Sequence, residues 1–300
     1  MRRKSLAFAA VVLLSFTPVQ STAQTILDYF SGDCFLVVKI DLGPVFEVIP
    51  EAELNTFRVL SREAFGFDVL ERTDAMSIGF DLTALMEEDI AERCIVIEGR
   101  VSIEEILESA ERHNEKLNSI RVGDLQAYEA NIDKGIQFYF SNISPGLWLH
   151  ASRRGVELFN AVRSGGKGST ADNELLRLAW ADTREDAFLR VAGYFDERLK
   201  QQMAAQMPAL GDLDTMAISA NHDGDGFNFA VVLGSGNPES LNVIKVMAEQ
   251  SLPVAAAQDT TGLLQEIIDS LQYSLAGNRL VITGFVSAAT IEKSIPLFTN

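Results

Sequence analysis

The stretch Asp74-Ala75-Met76-Ser77-Ile78 returns as Asp214-Thr215-Met216-Ala217-Ile218. In the first copy Met76, Ile78 and Phe80 alternate with Ala75, Ser77 and Gly79, the side-chain period of a half-buried β-strand. The second copy opens the same way, then turns at 221–226 into Phe227, Phe229, Val231 and Leu233, which alternate again. Each copy leads through a turn into a second strand and then a helix. After the first copy the returning strand is Cys94-Ile95-Val96-Ile97. Ser102 and Glu105 then form a capping box ahead of Ile103, Ile106, Leu107 and Ala110, one helical stripe. After the second, Pro238 opens a helix with Leu241, Ile244, Met247 and Ala248 on one face.

Outward from the copies the pattern continues. A strand precedes each one, at 34–40 and at 187–191. Gly43-Pro44 ends the first of these and opens a helix, and Leu54, Phe57, Leu60 and Phe65 mark a helical segment closed by Gly66. A helix at 197–206 follows the other. Further strands are expected near 125–130, 136–141 and 147–151, with a helix over 155–162. In the second half an added helix carries Leu263, Leu264, Ile267, Ile268 and Leu271, and strands near 273–276 and 280–285 turn at Gly277-Asn278. The fold class is α+β: two similar β-α-β-β-α-β-β-α halves with a mainly antiparallel sheet and helices packed on one face. Ser164-Gly165-Gly166-Lys167-Gly168-Ser169 is the linker composition between them. The boundaries are a signal at 1–23, a first repeat at 24–163, a linker at 164–170 and a second repeat at 171–300. The core of each half resembles the split β-α-β arrangement of ferredoxin-like folds, which implies that first and third strands are parallel neighbours.

The N-terminus carries an address. Arg2, Arg3 and Lys4 precede an apolar run over 6–16, and Ser21-Thr22-Ala23 offers small residues for cleavage after Ala23. The run is shorter than the roughly 20 residues of a spanning helix, and Pro18 and Gln20 interrupt its continuation. No later segment reads as a transmembrane span, so an exported, periplasmic or secreted protein is expected. Without the signal, Lys and Arg fall from 25 to 22 against 42 Asp and Glu, a net charge of −20. So acidic a chain repels phosphate backbones, which argues against nucleic acid as partner. Cys34 and Cys94 remain, and an oxidising compartment favours a disulfide between them over two separate buried thiols. With first and third strands adjacent, both would sit at the same end of neighbouring strands, within disulfide reach.

Motifs for chemistry are sparse. Asp223, Asp225 and their glycines suggest a calcium loop, but the twelfth position from Asp223 is Gly234, not Glu. An Asp-Gly hairpin accounts for them better. Lys167 and Ser169 are separated by Gly168, so the phosphate-loop pattern fails. His113, His150 and His222 form no H-E-x-x-H pair, and no G-x-S-x-G elbow occurs. Acidic neighbours such as Glu104-Glu105 read as solvated helix faces, and a carboxylate pair for glycoside hydrolysis would find only Trp148 and Trp180 as sugar platforms. No catalytic, metal or cofactor residue is assigned.

Three stretches carry a resemblance: Asp33-Cys34-Phe35-Leu36-Val37-Val38 with Asp41-Leu42; Gly66-Phe67-Asp68-Val69-Leu70 leading to Asp74-Ala75-Met76-Ser77-Ile78; and Gly168-Ser169-Thr170-Ala171-Asp172-Asn173 before a helix. Together they resemble exported bacterial domain-of-unknown-function proteins with a duplicated α+β body. The resemblance implies a bacterial envelope location and no established catalytic residue. The expected function is a non-enzymatic interaction or scaffold module meeting another envelope protein, recognised by an exposed apolar patch. One alternative is a periplasmic carrier of a lipid-like or other hydrophobic small ligand. A second is a hydrolase gathering His150 or His222 with two carboxylates.

Overall fold

The computed structural model describes residues 26–48, 68, 70–81, 94–100, 102–112, 117–132, 136–256 and 263–290, with scattered positions between 51 and 62. The signal at 1–23 and His113 lie outside the described residues, as do Phe57, Leu60 and Phe65 of the helical segment expected at 54–65. The chain divides into two compact units, Met1–Asn173 and Glu174–Asn300.

The first unit contains β1 (Cys34–Asp41), α1 (Leu42–Val48), β2 (Thr73–Asp81), β3 (Cys94–Gly99), α2 (Ile103–Arg112), β4 (Asn118–Val122), β5 (Leu125–Ile132), β6 (Ile136–Ser144), β7 (Leu147–Ala151) and α3 (Arg153–Arg163). Local chemistry sets several of these ends. The capping box before α2 is formed: Glu105 N–H donates to Ser102 Oγ at 3.2 Å, and Ser102 N–H to Glu105 Oε2 at 2.9 Å. Ser152 caps α3 by accepting from Gly155 N–H at 3.1 Å.

The strand order is β1-β2-β3-β7-β6-β5-β4, and the pairs from β1 through β7 to β4 are antiparallel. This corrects the split β-α-β expectation: β1 and β3 are not parallel neighbours, because β2 lies between them. Cys34 and Cys94 are accordingly thiols rather than a disulfide. Strands two places apart are separated by roughly 9.5 Å, beyond the ~7 Å at which two Cα atoms can be bridged.

Both side-chain parities of β3 and β7 are buried. Ile95, Ile97, Phe140 and Trp148 form one cluster, against which Ile103 and Ile106 of α2 pack. Val96, Leu149 and Ala151, of the opposite parity, are fully buried, and α3 lies against β7, β6 and β3. This is why these short strands are near-continuous apolar runs. Phe30 also enters the first unit's core and packs over Gly79 of β2, where a Cβ would meet its ring.

The second unit contains α4 (Glu174–Ala181), β8 (Leu189–Tyr194), α5 (Glu197–Gln206), β9 (Leu213–His222), β10 (Gly226–Ser235), α6 (Pro238–Ala256), α7 (Leu263–Ser270), β11 (Gln272–Ala276) and β12 (Arg279–Ser287). The strand expected at 187–191 begins two residues later. The order is β11-β12-β10-β9-β8, again antiparallel throughout its pairs. The two copies of the repeat therefore hold the same place. Each is the second strand in the series β1-β2-β3-β7 and β8-β9-β10-β12. Leu213, Leu280, Leu241 and Ile244 form the core cluster, joined by Phe195, Met203 and Leu233. Thr215, Ala217 and Ser219 are buried at alternate positions along β9, and α4 packs against that strand.

Candidate interaction surface

The repeated aspartate positions a helix in the second unit. Asp214 Oδ2 accepts from Gly236 N–H and Oδ1 from Lys200 Nζ, both at 2.7 Å. Asp212 accepts from Asn237 Nδ2 at 2.9 Å and from the Ser240 hydroxyl. The Ser240 and Asn237 bonds hold the Asp212 carboxyl below its usual range. Asn237 Oδ1 in turn accepts from Glu239 N–H at 3.2 Å. This network fixes the first turn of α6, so the helix direction is set by side chains at its start. In the first copy the equivalent Asp74 faces Arg100 at 3.7 Å instead, and burial pushes its carboxyl up despite that guanidinium.

α6 is apolar on more than the face it buries. Leu241 and Ile244 are 0% and 7% exposed and belong to the core. Val243, Val246, Met247 and Val254 are 45%, 39%, 41% and 63% exposed. At 100° per residue, Val243, Met247 and Val254 fall within about 40° of one another and Val246 lies beside them, so the four form one outward stripe. Sequence reading put Met247 on the buried face with Leu241 and Ile244. The structure turns it outward, because the apolar residues of α6 spread over more of its circumference than the strip it buries, and periodicity alone cannot select that strip.

The other residues singled out by sequence do not converge. His150, on β7, is buried opposite Ile95 and Phe140, and burial lowers its pKa to about 4, leaving a neutral imidazole. His222 ends β9 with its ring 5.2 Å from Phe227. Among the described residues no three His, Cys, Asp or Glu side chains are grouped to hold a metal ion. The 221–226 segment is a hairpin turn: Asp223 Oδ1 accepts from Asp225 and Gly226 N–H at 3.2 Å each, and Gly224 has φ +90°. Trp148 is in the core, and Trp180 takes Arg190 over its ring at 4.1 Å. Cys94 is partly buried, and desolvation followed by the neighbouring Cys34 pushes its thiol pKa far up, away from nucleophilic use.

The Gly/Ser-rich stretch at 164–170 is a structured part of the first unit. Gly165, with φ +73°, ends α3 as its N–H donates to Val162 O at 3.0 Å, and Gly166 N–H donates to Ala161 O at 2.9 Å, the pairing of a Schellman motif. Gly32 N–H donates to Gly168 O, and Thr170 N–H to Phe30 O, at 2.9 Å each. Lys167 pairs with Asp33. The linker composition therefore encodes a helix stop and a docking strip for residues 27–33.

These features define a duplicated, antiparallel α+β protein with an apolar outward helix. No protein-family model matches the chain, and no curated protein does. Among solved structures it is similar to TP0453. Crystal form III of that protein aligns at 10% identity and a TM-score of 0.50, over 91% of this chain and 98% of that one. Form IV aligns at 12% identity and a TM-score of 0.51, over 90% and 95%. At such identity the likeness shows the fold alone. No helix among the described residues is long and apolar enough to cross a membrane.

Proposed function

We propose that this chain is an exported, non-enzymatic interaction module that meets another envelope protein through the outward stripe of α6. The observation that supports the reading is the exposure of Val243, Val246, Met247 and Val254 on a helix whose opposite side is already in the core. An apolar stripe left in water after a helix has buried its core face is a cost to the isolated chain, and a partner that covers it recovers the burial, about 25 cal/mol per Å². The export signal supplies the compartment. The resemblance to exported bacterial proteins of unknown function fits the same reading.

The test is site-specific photo-crosslinking in the producing cell. A photoreactive residue at Val246 is expected to give a discrete protein adduct, and one at the exposed Gln201 of α5 is not. Val243→Glu with Met247→Glu is expected to abolish the adduct while leaving the fold unchanged. Absence of an adduct at Val246, or the same adduct from both positions, would reject the proposal.

A further inference from the structure

A cleft of about 660 Å³ opens in the first unit. Its size suits a small molecule rather than a protein segment. One side is apolar. Tyr29 and Phe159 have ring centroids 6.2 Å apart and planes within 9° of parallel, and Ile143 and Val162 complete the lining there. Phe159 is buried and backs the Tyr29 ring, which is partly exposed and offers its face to a planar guest.

The other side is polar, and its charges are unequally committed. The Lys167 ammonium is paired with Asp33, and the Asp172 carboxylate accepts from Ser169 N–H at 2.9 Å. The backbone N–H groups of Gly165, Gly166 and Lys167 are spent on the α3 terminus. Arg163, in the last turn of α3, lines the cleft, is exposed, and has no ion pair among the described residues. Tyr29 and Asp28 line the same cleft. Burial raises the Tyr29 pKa, as do Glu98 and Asp28, and the Arg163 charge opposes them. The phenol therefore stays protonated at neutral pH and can donate a hydrogen bond beside the guanidinium. A guanidinium with a neutral donor next to it is suited to a carboxylate or sulfonate.

We infer that this cleft binds a small planar aromatic anion, with its ring against Tyr29 and its charged group on Arg163. The site is independent of the α6 surface, so either can fail without the other.

The test is fluorescence titration of the mature protein with 8-anilinonaphthalene-1-sulfonate. Saturable one-site binding is expected, weakened at least tenfold by Arg163→Glu and unchanged by Arg153→Glu at the other end of the same helix. Tyr29→Phe keeps the ring and removes the donor, and is expected to weaken binding several-fold. Naphthalene-2-carboxylate should displace the dye and naphthalene-2-methanol should not. Unchanged or tighter dye binding in Arg163→Glu, or equal displacement by the alcohol, would overturn the inference. Since Arg163 and Arg153 are both exposed, an unaltered circular dichroism spectrum separates loss of the site from loss of the fold.

Discussion

Replacing Gly79 by Ala should destabilise the protein, although glycine inside a strand is ordinarily the weaker choice. Gly79 sits on β2 opposite Val37 and Cys94. A Cβ there would lie 2.5 Å from Phe30 Cδ1, 2.8 Å from its Cγ and 3.1 Å from Cys34 Sγ. The ring has little room to yield. Phe30 is 1% exposed, and its carbonyl is held by Thr170 N–H at 2.9 Å. Overpacking of this kind costs about 1–3 kcal/mol. The unfolded chain also loses freedom on the change, which returns about 0.4–1 kcal/mol. A net loss of about 1–2 kcal/mol follows, equivalent to a fall in Tm of roughly 2–4 °C for a chain of this size. Urea unfolding followed by far-ultraviolet circular dichroism gives the value directly. The reasoning also fixes a coupling. In a Phe30→Leu background, where the ring is gone, Gly79→Ala should cost under about 0.5 kcal/mol. A neutral or stabilising Gly79→Ala, or the same cost in both backgrounds, would refute the argument. The equivalent place in the second copy is Ser219, a buried side chain that the fold accepts.

Other expectations are equally direct. Ser102→Ala removes one arm of the α2 capping box and should cost about 1 kcal/mol, read as a lower urea midpoint. His150 should make stability pH-dependent: its pKa is depressed from 6.5 to about 4 by burial. The unfolded chain thus binds the extra proton first, so the His150 contribution is intact above pH 6.5 and is lost as pH falls toward about 4. The wild-type urea midpoint should fall relative to that of His150→Leu over that interval, and a pH-independent difference would contradict it. Unfolding without reductant should expose two thiols to iodoacetamide, adding two labels by mass, whereas a Cys34–Cys94 disulfide would add none. Val243→Glu with Met247→Glu should change folding stability by less than about 0.5 kcal/mol, since both side chains are exposed, which separates their role in contact from any role in folding.

Much of the local structure was legible from residue order. Period-2 alternation located β2, β9 and β10, the Ser102 and Glu105 pair located the start of α2, and Gly277-Asn278 located the last hairpin turn, where Gly277 has φ +61°. β4 was missed because its five residues, Asn118 to Val122, are mostly polar and half-exposed or more. The strand preceding β9 was placed two residues early, since Ala187 and Phe188 are apolar but lie before the ladder begins.

What the sequence alone determined was the kind of each element, its duplication, and its address in the cell as an expectation. These depend on neighbours within a few residues, where side-chain period, caps and turn residues act. What only the tertiary structure decided was adjacency. β2 stands between β1 and β3, so Cys34 and Cys94 are not on adjacent strands; residues 164–170 dock on 27–33; and Met247 faces water rather than the core. Each of these rests on contacts between residues far apart in the chain. Where a helix such as α6 carries more apolar surface than it buries, its own sequence does not say which part faces the core, and the packing of the rest of the unit makes the choice.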